Sequence, residues 1–491
     1  MTDQSKIDTA TATAPQAKKE KLTADLLIIG AGSGGLSVAA GAAQMGAKVI
    51  LLEGHKMGGD CLNYGCVPSK ALLAAGKQAH AMETGKPFGV SPVMAEVSYP
   101  AAKDHVAATI AEIAPMDSQE RFEGFGVQVI REYGRFTGKD SVEAGPYEIT
   151  ARRIIVATGS GPLVPPIPGL DTVEHYTNEN IFDLREKPEH LVIIGAGPIG
   201  LEMAQAHRRL GSQVTVIEAG KALGKDDPEI AEIALRKLRG EGIEIMEGAA
   251  AEEVSSATGS VTVKTSQGDV TGTHLLVAVG RKVNVDKLNL EAAGVTYDRR
   301  GVKVGADLRS VTNKKVYAIG DAAGGLQFTH LAGYHAGIVV RSAVLGLPAK
   351  AKTDHIPWAT YTDPEIAQVG LTEAQAIKKF GKMAVFVARY ETGENDRAVA
   401  ENAGDGLIKV MVVKGRPVGA SIVGKQAGEL IAMWAMAIAN NLKMSAISAT
   451  VLPYPTLSEI NKRAASAYFT PKLFESDKVK AVVRFVQRWL P

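Results

Sequence analysis

Both cysteines of this 491-residue chain stand in one short stretch, Gly59-Asp60-Cys61-Leu62-Asn63-Tyr64-Gly65-Cys66-Val67-Pro68-Ser69-Lys70. Cys61 and Cys66 are five residues apart. Five residues of ideal helix rise about 7.5 Å, whereas a disulfide needs its Cα atoms within roughly 6.8 Å. The pair therefore closes only across a distorted turn, and Gly65 supplies the freedom for one. Pro68 suits the first turn of a helix continuing through Lys70 to Ala75. Two neighbouring thiols in an otherwise thiol-free chain read as a redox pair. The rival reading is two buried structural thiols. A staple across so short a loop would remove little chain entropy, and no export signal is expected here to favour one.

Strand–loop–helix units flank the pair. Leu26-Leu27-Ile28-Ile29 is an apolar strand that runs into Gly30-Ala31-Gly32-Ser33-Gly34-Gly35. An alanine-rich helix and the strand Lys48–Leu52 follow, ending at Glu53. This is a βαβ unit with the dinucleotide fingerprint. Its glycines let backbone reach a pyrophosphate at a helix N-terminus, and Glu53 is placed to accept a ribose hydrogen bond. The unit recurs as Leu191–Ile194, then Gly195-Ala196-Gly197-Pro198-Ile199-Gly200, with Glu218 closing the strand Gln213–Ile217. Eighteen residues separate Gly35 from Glu53 and Gly200 from Glu218. Matched fingerprints predict two dinucleotide sites. Three further strand exits have one shape: Ile154–Ser160, Leu276–Arg281 and Val316–Asp321. The last ends in a carboxylate suited to a ribityl or ribose hydroxyl.

Composition sets the outer bounds. The length predicts two to four domains. With 55 basic and 53 acidic residues the net charge is +2, which leaves no electrostatic footprint for nucleic acid. The 52 glycines cluster in short loops rather than in repeats, as backbone approaching phosphates requires. No apolar run approaches the ~18 residues of a membrane helix. The first two dozen residues read as a disordered tail, and Asp3, Asp8 and Glu20 argue against a transit peptide. A cytoplasmic protein is expected.

Taken together, GDCLNYGCVPSK, ATGS, GAGPIGLE, AVGR and AIGDAA, in that order, resemble the flavin-dependent pyridine-nucleotide disulfide oxidoreductases. That family includes lipoamide dehydrogenase, glutathione reductase and mercuric reductase. The resemblance runs from about Ala24 to about Thr470. It implies an α/β fold: two Rossmann-like three-layer ββα dinucleotide-binding domains plus an α+β dimerisation domain. The expected division is a tail over 1–23, an FAD-binding domain over 24–160 and 285–352, and an NAD(P)-binding domain over 161–284. A dimerisation domain over 353–470 and a C-terminal basic amphipathic helix over 471–491 complete it.

By resemblance, Gly30, Gly32, Gly35, Glu53, Gly59, Thr158, Gly159 and Asp321 hold FAD. Gly195, Gly197, Gly200, Glu218 and Gly280 hold NAD. Electrons are expected to pass from NADH through FAD to the Cys61–Cys66 disulfide. Cys66 would lie against the flavin as a charge-transfer thiolate, and Cys61 would attack the substrate. Lys70, one helical turn past Cys66, is expected beside the flavin, paired with Glu202. No metal site is expected. Glu218 favours a free 2′-hydroxyl over a 2′-phosphate, and Lys221 is the only nearby cation, so NADH is expected over NADPH.

From about Pro357 the chain looks like the family's dimerisation domain, which makes a homodimer the expected assembly. Here the chain departs from the family's most familiar members. In lipoamide dehydrogenase and glutathione reductase the partner subunit supplies a histidine acid–base next to the interchange thiol. Here that position holds Tyr454, while Glu459, which would orient the histidine, remains. Tyrosine ionises near pKa 10, too high for a good base at neutral pH. A tyrosine here resembles mercuric reductase, but that enzyme carries a further cysteine pair and this chain has two cysteines in all.

The leading expectation is therefore reduction of a small-molecule disulfide or another soft acceptor. The alternatives are a dihydrolipoamide dehydrogenase serving a 2-oxoacid dehydrogenase complex and a redox-sensing or membrane- or partner-docked flavoprotein. Ala427–Met444 reads as an apolar helical stretch in core or dimer interface. In Lys478–Leu490, Val479, Val482, Val483, Val486 and Leu490 fall at helical spacing, with Lys478, Lys480, Arg484 and Arg488 on the polar side. Packing of this helix on its own domain is the expectation, and docking on a membrane or partner is the alternative.

Overall fold

A computed structural model describes residues 19–490. The expected N-terminal tail lies outside the described residues up to residue 18, as do Asp3 and Asp8. Its last residues are not tail. The first strand is Glu20–Ile29, and Glu20 to Ala24 pair in parallel with Tyr147 to Ala151. These polar residues gain order from backbone pairing to a distant strand, a contact that local composition does not report.

The first sheet has seven strands. In spatial order Gln128–Ile130, Val49–Leu52, Glu20–Ile29 and Tyr147–Val156 are parallel, and Val316–Ala318 adds in parallel to Tyr147–Val156. Ser141–Ala144 and Arg135–Phe136 extend it antiparallel. Leu27 and Ile29 pack in the core on one face, and Leu26 and Ile28 in the core on the other. A parallel sheet covered on both faces demands such uninterrupted apolar strands. The second parallel sheet, Glu244–Glu247, Gln213–Glu218, His190–Ile194 and His274–Val277, repeats the plan. Ile194 and Leu191 again serve opposite cores. A three-stranded antiparallel layer, Ala251–Ala257, Ser260–Thr265 and Gly268–Gly272, lies beside it. The fold is α/β, with two dinucleotide-binding units and a C-terminal α+β unit.

That C-terminal unit is a five-stranded antiparallel sheet, Pro357–Thr360, Glu365–Gly370, Arg416–Gly424, Leu407–Val413 and Phe386–Glu391. The apolar stretch Ala427–Met444 is helical, as expected, but in pieces. It divides into Ala427–Leu430 and Ala432–Ala439, and Met444 opens Met444–Ser448. Trp434 is fully buried in the core there and donates its indole N–H to Asn461 at 2.7 Å.

Two polar joints fasten this unit to the nucleotide-binding body. In one, Arg209 meets Glu241 at 2.7 Å and Asp363 at 3.0 Å, while Gln205 exchanges two hydrogen bonds with the Asp363 backbone. In the other, Lys409 on strand Leu407–Val413 reaches Asp227 at 2.9 Å, Glu229 at 3.2 Å and Glu373 at 2.7 Å. Lys409 is 3% exposed and Asp227 2%. Asp227 also caps the helix Pro228–Gly240. Together the three carboxylates outweigh the cost of burying Lys409 and raise its pKa.

The final helix, Asp477–Trp489, overturns the expectation that it packs on its own domain. None of its residues is buried. The preceding structure ends in the short helix Thr470–Phe474, which carries the last helix clear of the core. No helix among the described residues is long and apolar enough to cross a membrane.

Removing one partner of a buried charge cluster leaves the others uncompensated, at about 3–5 kcal/mol. Lys409→Met should lower stability by that order in chemical denaturation. Lys409→Met with Asp227→Asn should recover part of it.

Candidate functional site

The thiol stretch is seated on the first glycine loop by backbone alone. Gly58 N–H donates to the Ala31 carbonyl at 3.0 Å, and Gly58 bridges to Gly32. Gly59 has φ +62°, and a Cβ on it would lie 2.7 Å from the Cα of Gly32. Cys61 then falls in the short helix Gly59–Asn63, and Cys66 opens the helix Cys66–Glu83. The break between them is at Tyr64 and Gly65, Gly65 having φ −125° and ψ −109°. The second helix runs past the expected Ala75 to Glu83 and packs on the helix Pro198–Arg209. Gly76 permits that approach, since a Cβ there would be 3.2 Å from the Ala206 carbonyl.

Through this packing Lys70 Nζ reaches Glu202 Oε2 at 2.7 Å. The other Glu202 oxygen accepts Tyr361 N–H at 2.9 Å, and the Tyr361 ring lies 4.5 Å from the Lys70 ammonium. One carboxylate thus joins the thiol helix, the second fingerprint helix and the C-terminal unit.

Cys61 and Cys66 are both free thiols here, Cys61 half-buried and Cys66 exposed. They are hydrogen-bonded to each other, and that bond divides their acidities. The bond from Cys61 lowers Cys66 to about 6, with further help from Thr329 and Lys70 against the opposing effect of burial. The same bond, then burial, drives Cys61 upward. These opposite directions favour the charge on Cys66 and the proton on Cys61 in the reduced pair. Cys66 is also the first residue of its helix, where free N–H groups favour an anion. Thr329 Oγ1 lies 3.4 Å from the Cys66 sulfur, although 263 residues separate the two in sequence.

The three strand exits named from sequence meet at one guanidinium. Arg281 donates to Ser160 Oγ at 2.7 Å, and Ser160 Oγ donates to Asp321 Oδ2 at 2.5 Å. Arg281 also pairs with Asp60, beside Cys61, at 3.1 Å. Asn178 donates to the second Asp60 oxygen at 3.0 Å. Burial raises the Asp321 pKa, and Ser160 and Arg281 pull it back. Thr158 and Gly159 are held by Asn284: Thr158 Oγ1 donates to the Asn284 carbonyl at 2.6 Å, and Asn284 N–H donates to the Gly159 carbonyl at 3.0 Å.

The two glycine loops match in detail. Gly30 and Gly195 have φ +107° and +109°, and a Cβ on either would lie 2.5 Å from a carbonyl, of Ala157 and Ala278 respectively. A Cβ on Gly35 or Gly200 would lie 1.9 Å from the carbonyl of Gly30 or Gly195. The middle glycines differ from these. The nearest atom to a Cβ on Gly32 is 3.9 Å away, and a Cβ on Gly197 would meet nothing within 4 Å. Protein packing therefore does not require glycine at those two positions, but a diphosphate lying across a helix N-terminus does. Each loop also has its acid. Glu53 accepts N–H groups of Ala31 and His55, both at 2.8 Å, and Glu218 accepts those of Ala196 at 2.9 Å and Gly220 at 2.8 Å. The residues fit two dinucleotides. Gly280, with φ +141°, stands at the strand exit beside the second loop.

Cys61, Cys66, Lys70, Glu202 and, through Arg281, Asp321 thus meet within one chain. Tyr454 and Glu459 make no hydrogen bond to the thiols within the described chain. Tyr454 is exposed, and its hydroxyl donates to Asp396 at 2.5 Å, which raises its pKa. Glu459 opens the helix Glu459–Ala467 of the C-terminal unit. Sequence reasoning had not assigned site roles to Asp60, Ser160, Asn178, Arg281, Thr329 and Tyr361. Asp60, Ser160 and Arg281 stood inside motifs already singled out, whereas nothing local to Thr329 points to a thiol.

Two family models cover most of the chain. The pyridine nucleotide-disulphide oxidoreductase model matches residues 24–336, and its dimerisation-domain model matches 356–465. A mercuric reductase of Lysinibacillus sphaericus is 33% identical over 451 residues, covering 90% of this chain and 82% of that protein. A dihydrolipoyl dehydrogenase of Bacillus subtilis is 33% identical over 455 residues, covering 90% of this chain and 95% of that protein. The HOCl-induced flavoprotein disulfide reductase RclA of Escherichia coli superposes with a TM-score of 0.80 at 28% identity, over 90% of this chain and 99% of that one.

In the reduced protein the ultraviolet absorbance of the Cys66 thiolate should appear as pH rises through about 6 and vanish below it. Thr329→Ala should move that midpoint upward, because it removes a hydrogen bond made to the anion. An unchanged midpoint would show that the hydroxyl does not act on the sulfur.

Proposed function

The chain belongs to the pyridine nucleotide-disulphide oxidoreductases, and from that premise we propose that it carries electrons from NADH to a small disulfide or similarly soft acceptor through Cys61 and Cys66. Flavoproteins of this family bind FAD and a nicotinamide dinucleotide, and FAD when bound supplies the two-electron relay between nicotinamide and sulfur. The loop Gly30–Gly35 with Glu53, Gly59, Thr158, Gly159 and Asp321 would hold it. The loop Gly195–Gly200 with Glu218 and Gly280 would hold the nicotinamide dinucleotide. The family's dimerisation domain supports a homodimer.

The observation that carries the proposal is the seating of the two thiols against the first glycine loop, with the Lys70–Glu202 pair on the helix that Cys66 opens. Only a thiolate attacks sulfur. Once the proton leaves Cys61, its sulfur attacks an acceptor disulfide and expels one thiolate. The Cys66 thiolate then attacks Cys61 in the mixed disulfide and expels the second, so the acceptor gains two electrons and the pair closes. Lys70, held by Glu202, keeps a positive charge near Cys66 throughout. Removing the Cys61 proton needs a base, and Tyr454 hydrogen-bonded to Asp396 is a poor one. Slow exchange with dihydrolipoamide follows from that. A soft metal ion as acceptor is the other outcome consistent with the relatives' names.

Anaerobic NADH reduction should produce a long-wavelength charge-transfer absorbance that Cys66→Ser abolishes and Cys61→Ser retains. Lipoamide, glutathione disulfide, quinones and mercuric ion are then added in turn, and the acceptor that bleaches the band fastest identifies the substrate class. Absence of the band in the wild-type protein would overturn the proposal. Tyr454→His should raise thiol–disulfide turnover by about tenfold or more. Glu218 sets a negative charge at the end of its strand, so steady-state kcat/KM should favour NADH over NADPH, and Glu218→Gln should narrow the ratio.

A further inference from the structure

We propose that the last helix, Asp477–Trp489, lies in the surface of an anionic membrane and docks the enzyme there. At 100° per residue Phe485, Trp489, Val482, Val486, Val479 and Val483 fill one arc of about 160°. Val482 and Phe485 are each 60% exposed, Trp489 64% and Val483 51%, while Val479 and Val486 are half-buried, so most of this face is left uncovered by the chain's own core. Leu473 and Phe474, just before the helix, are exposed as well. The opposite arc carries Lys480, Arg484 and Arg488, and Lys478 falls inside the apolar arc, between Phe485 and Trp489, with a stem long enough to lift its ammonium into water. Asp477, in the first turn, is the helix's one carboxylate.

Charge complementarity selects the occupant. An apolar stripe bounded by cations, with Phe485 and Trp489 on it, matches the boundary between acyl chains and acidic headgroups. At 13 residues the helix is too short to span a bilayer but long enough to lie along one. It stands beyond residue 465, where the dimerisation-domain match ends. None of the hydrogen bonds around Cys61 and Cys66 involves it. The inference therefore goes beyond the proposed reaction and does not rest on it.

The test is cosedimentation of the full-length purified protein with vesicles, read by the amount of protein pelleted. Phosphatidylcholine vesicles containing phosphatidylglycerol should pellet the wild type, and pure phosphatidylcholine should pellet at least tenfold less. Binding should weaken as salt rises. V482D/V486D and K480E/R484E should each lower the bound fraction about tenfold while leaving NADH oxidation with a soluble acceptor at the wild-type level. Trp489 emission should shift to shorter wavelength on binding. Wild type that stays in the supernatant with acidic vesicles would overturn the proposal, as would K480E/R484E that pellets like wild type. So would V482D/V486D that light scattering finds monomeric beside a dimeric wild type, because the face would then be a contact between subunits.

Discussion

Backbone against backbone is the contact on which this site rests. Gly59 sits so close to Gly32 that a Cβ on Gly59 would lie 2.7 Å from the Gly32 Cα. The same few ångströms thus contain the start of the thiol stretch and the middle of a phosphate-type loop. Any displacement of the loop moves Cys61 and Cys66 with it. The thiols need not be steered to a cofactor by long side chains, because the chain path already delivers them to the loop.

Charge is managed around that seat with few ions. Arg281 serves Asp60 and, through Ser160, Asp321, so one largely buried cation answers two carboxylates from distant segments. Glu202 performs the converse, one carboxylate answering Lys70 and a backbone N–H. The Cys66 anion meets the Lys70 charge, the Thr329 hydroxyl and a helix N-terminus, with the Asp60 charge opposing. These arrangements satisfy each buried charge, which the low-dielectric interior requires. The helix Pro198–Arg209 presents Glu202, Gln205 and Arg209 toward the C-terminal unit, and so it joins that unit to the nucleotide-binding body.

The duplicated loops show how much of such a site a short word encodes. Gly30 and Gly195, Gly35 and Gly200, and Glu53 and Glu218 play pairwise identical parts. The acids had been read only as ribose acceptors. In the folded chain each also clamps its own loop, Glu53 through Ala31 and Glu218 through Ala196. That second duty was invisible because it depends on where the loop's N–H groups point.

Strand hydropathy and glycine spacing are local, so the sequence by itself determined the two parallel sheets, the paired loops and the thiol stretch, whereas the Lys70–Glu202 partnership was expected only through the family resemblance. It misjudged Glu20–Thr23, whose order comes from Tyr147–Thr150, and it read Ala427–Met444 as a helical stretch without placing its breaks, which apolar content alone does not locate. It also placed the last helix against a core that leaves it bare. Only the tertiary structure decided that Thr329 attends Cys66 and that Arg281 binds three motifs into one cluster. Those facts depend on distances between residues far apart in the chain, and no local pattern of residue types records such distances.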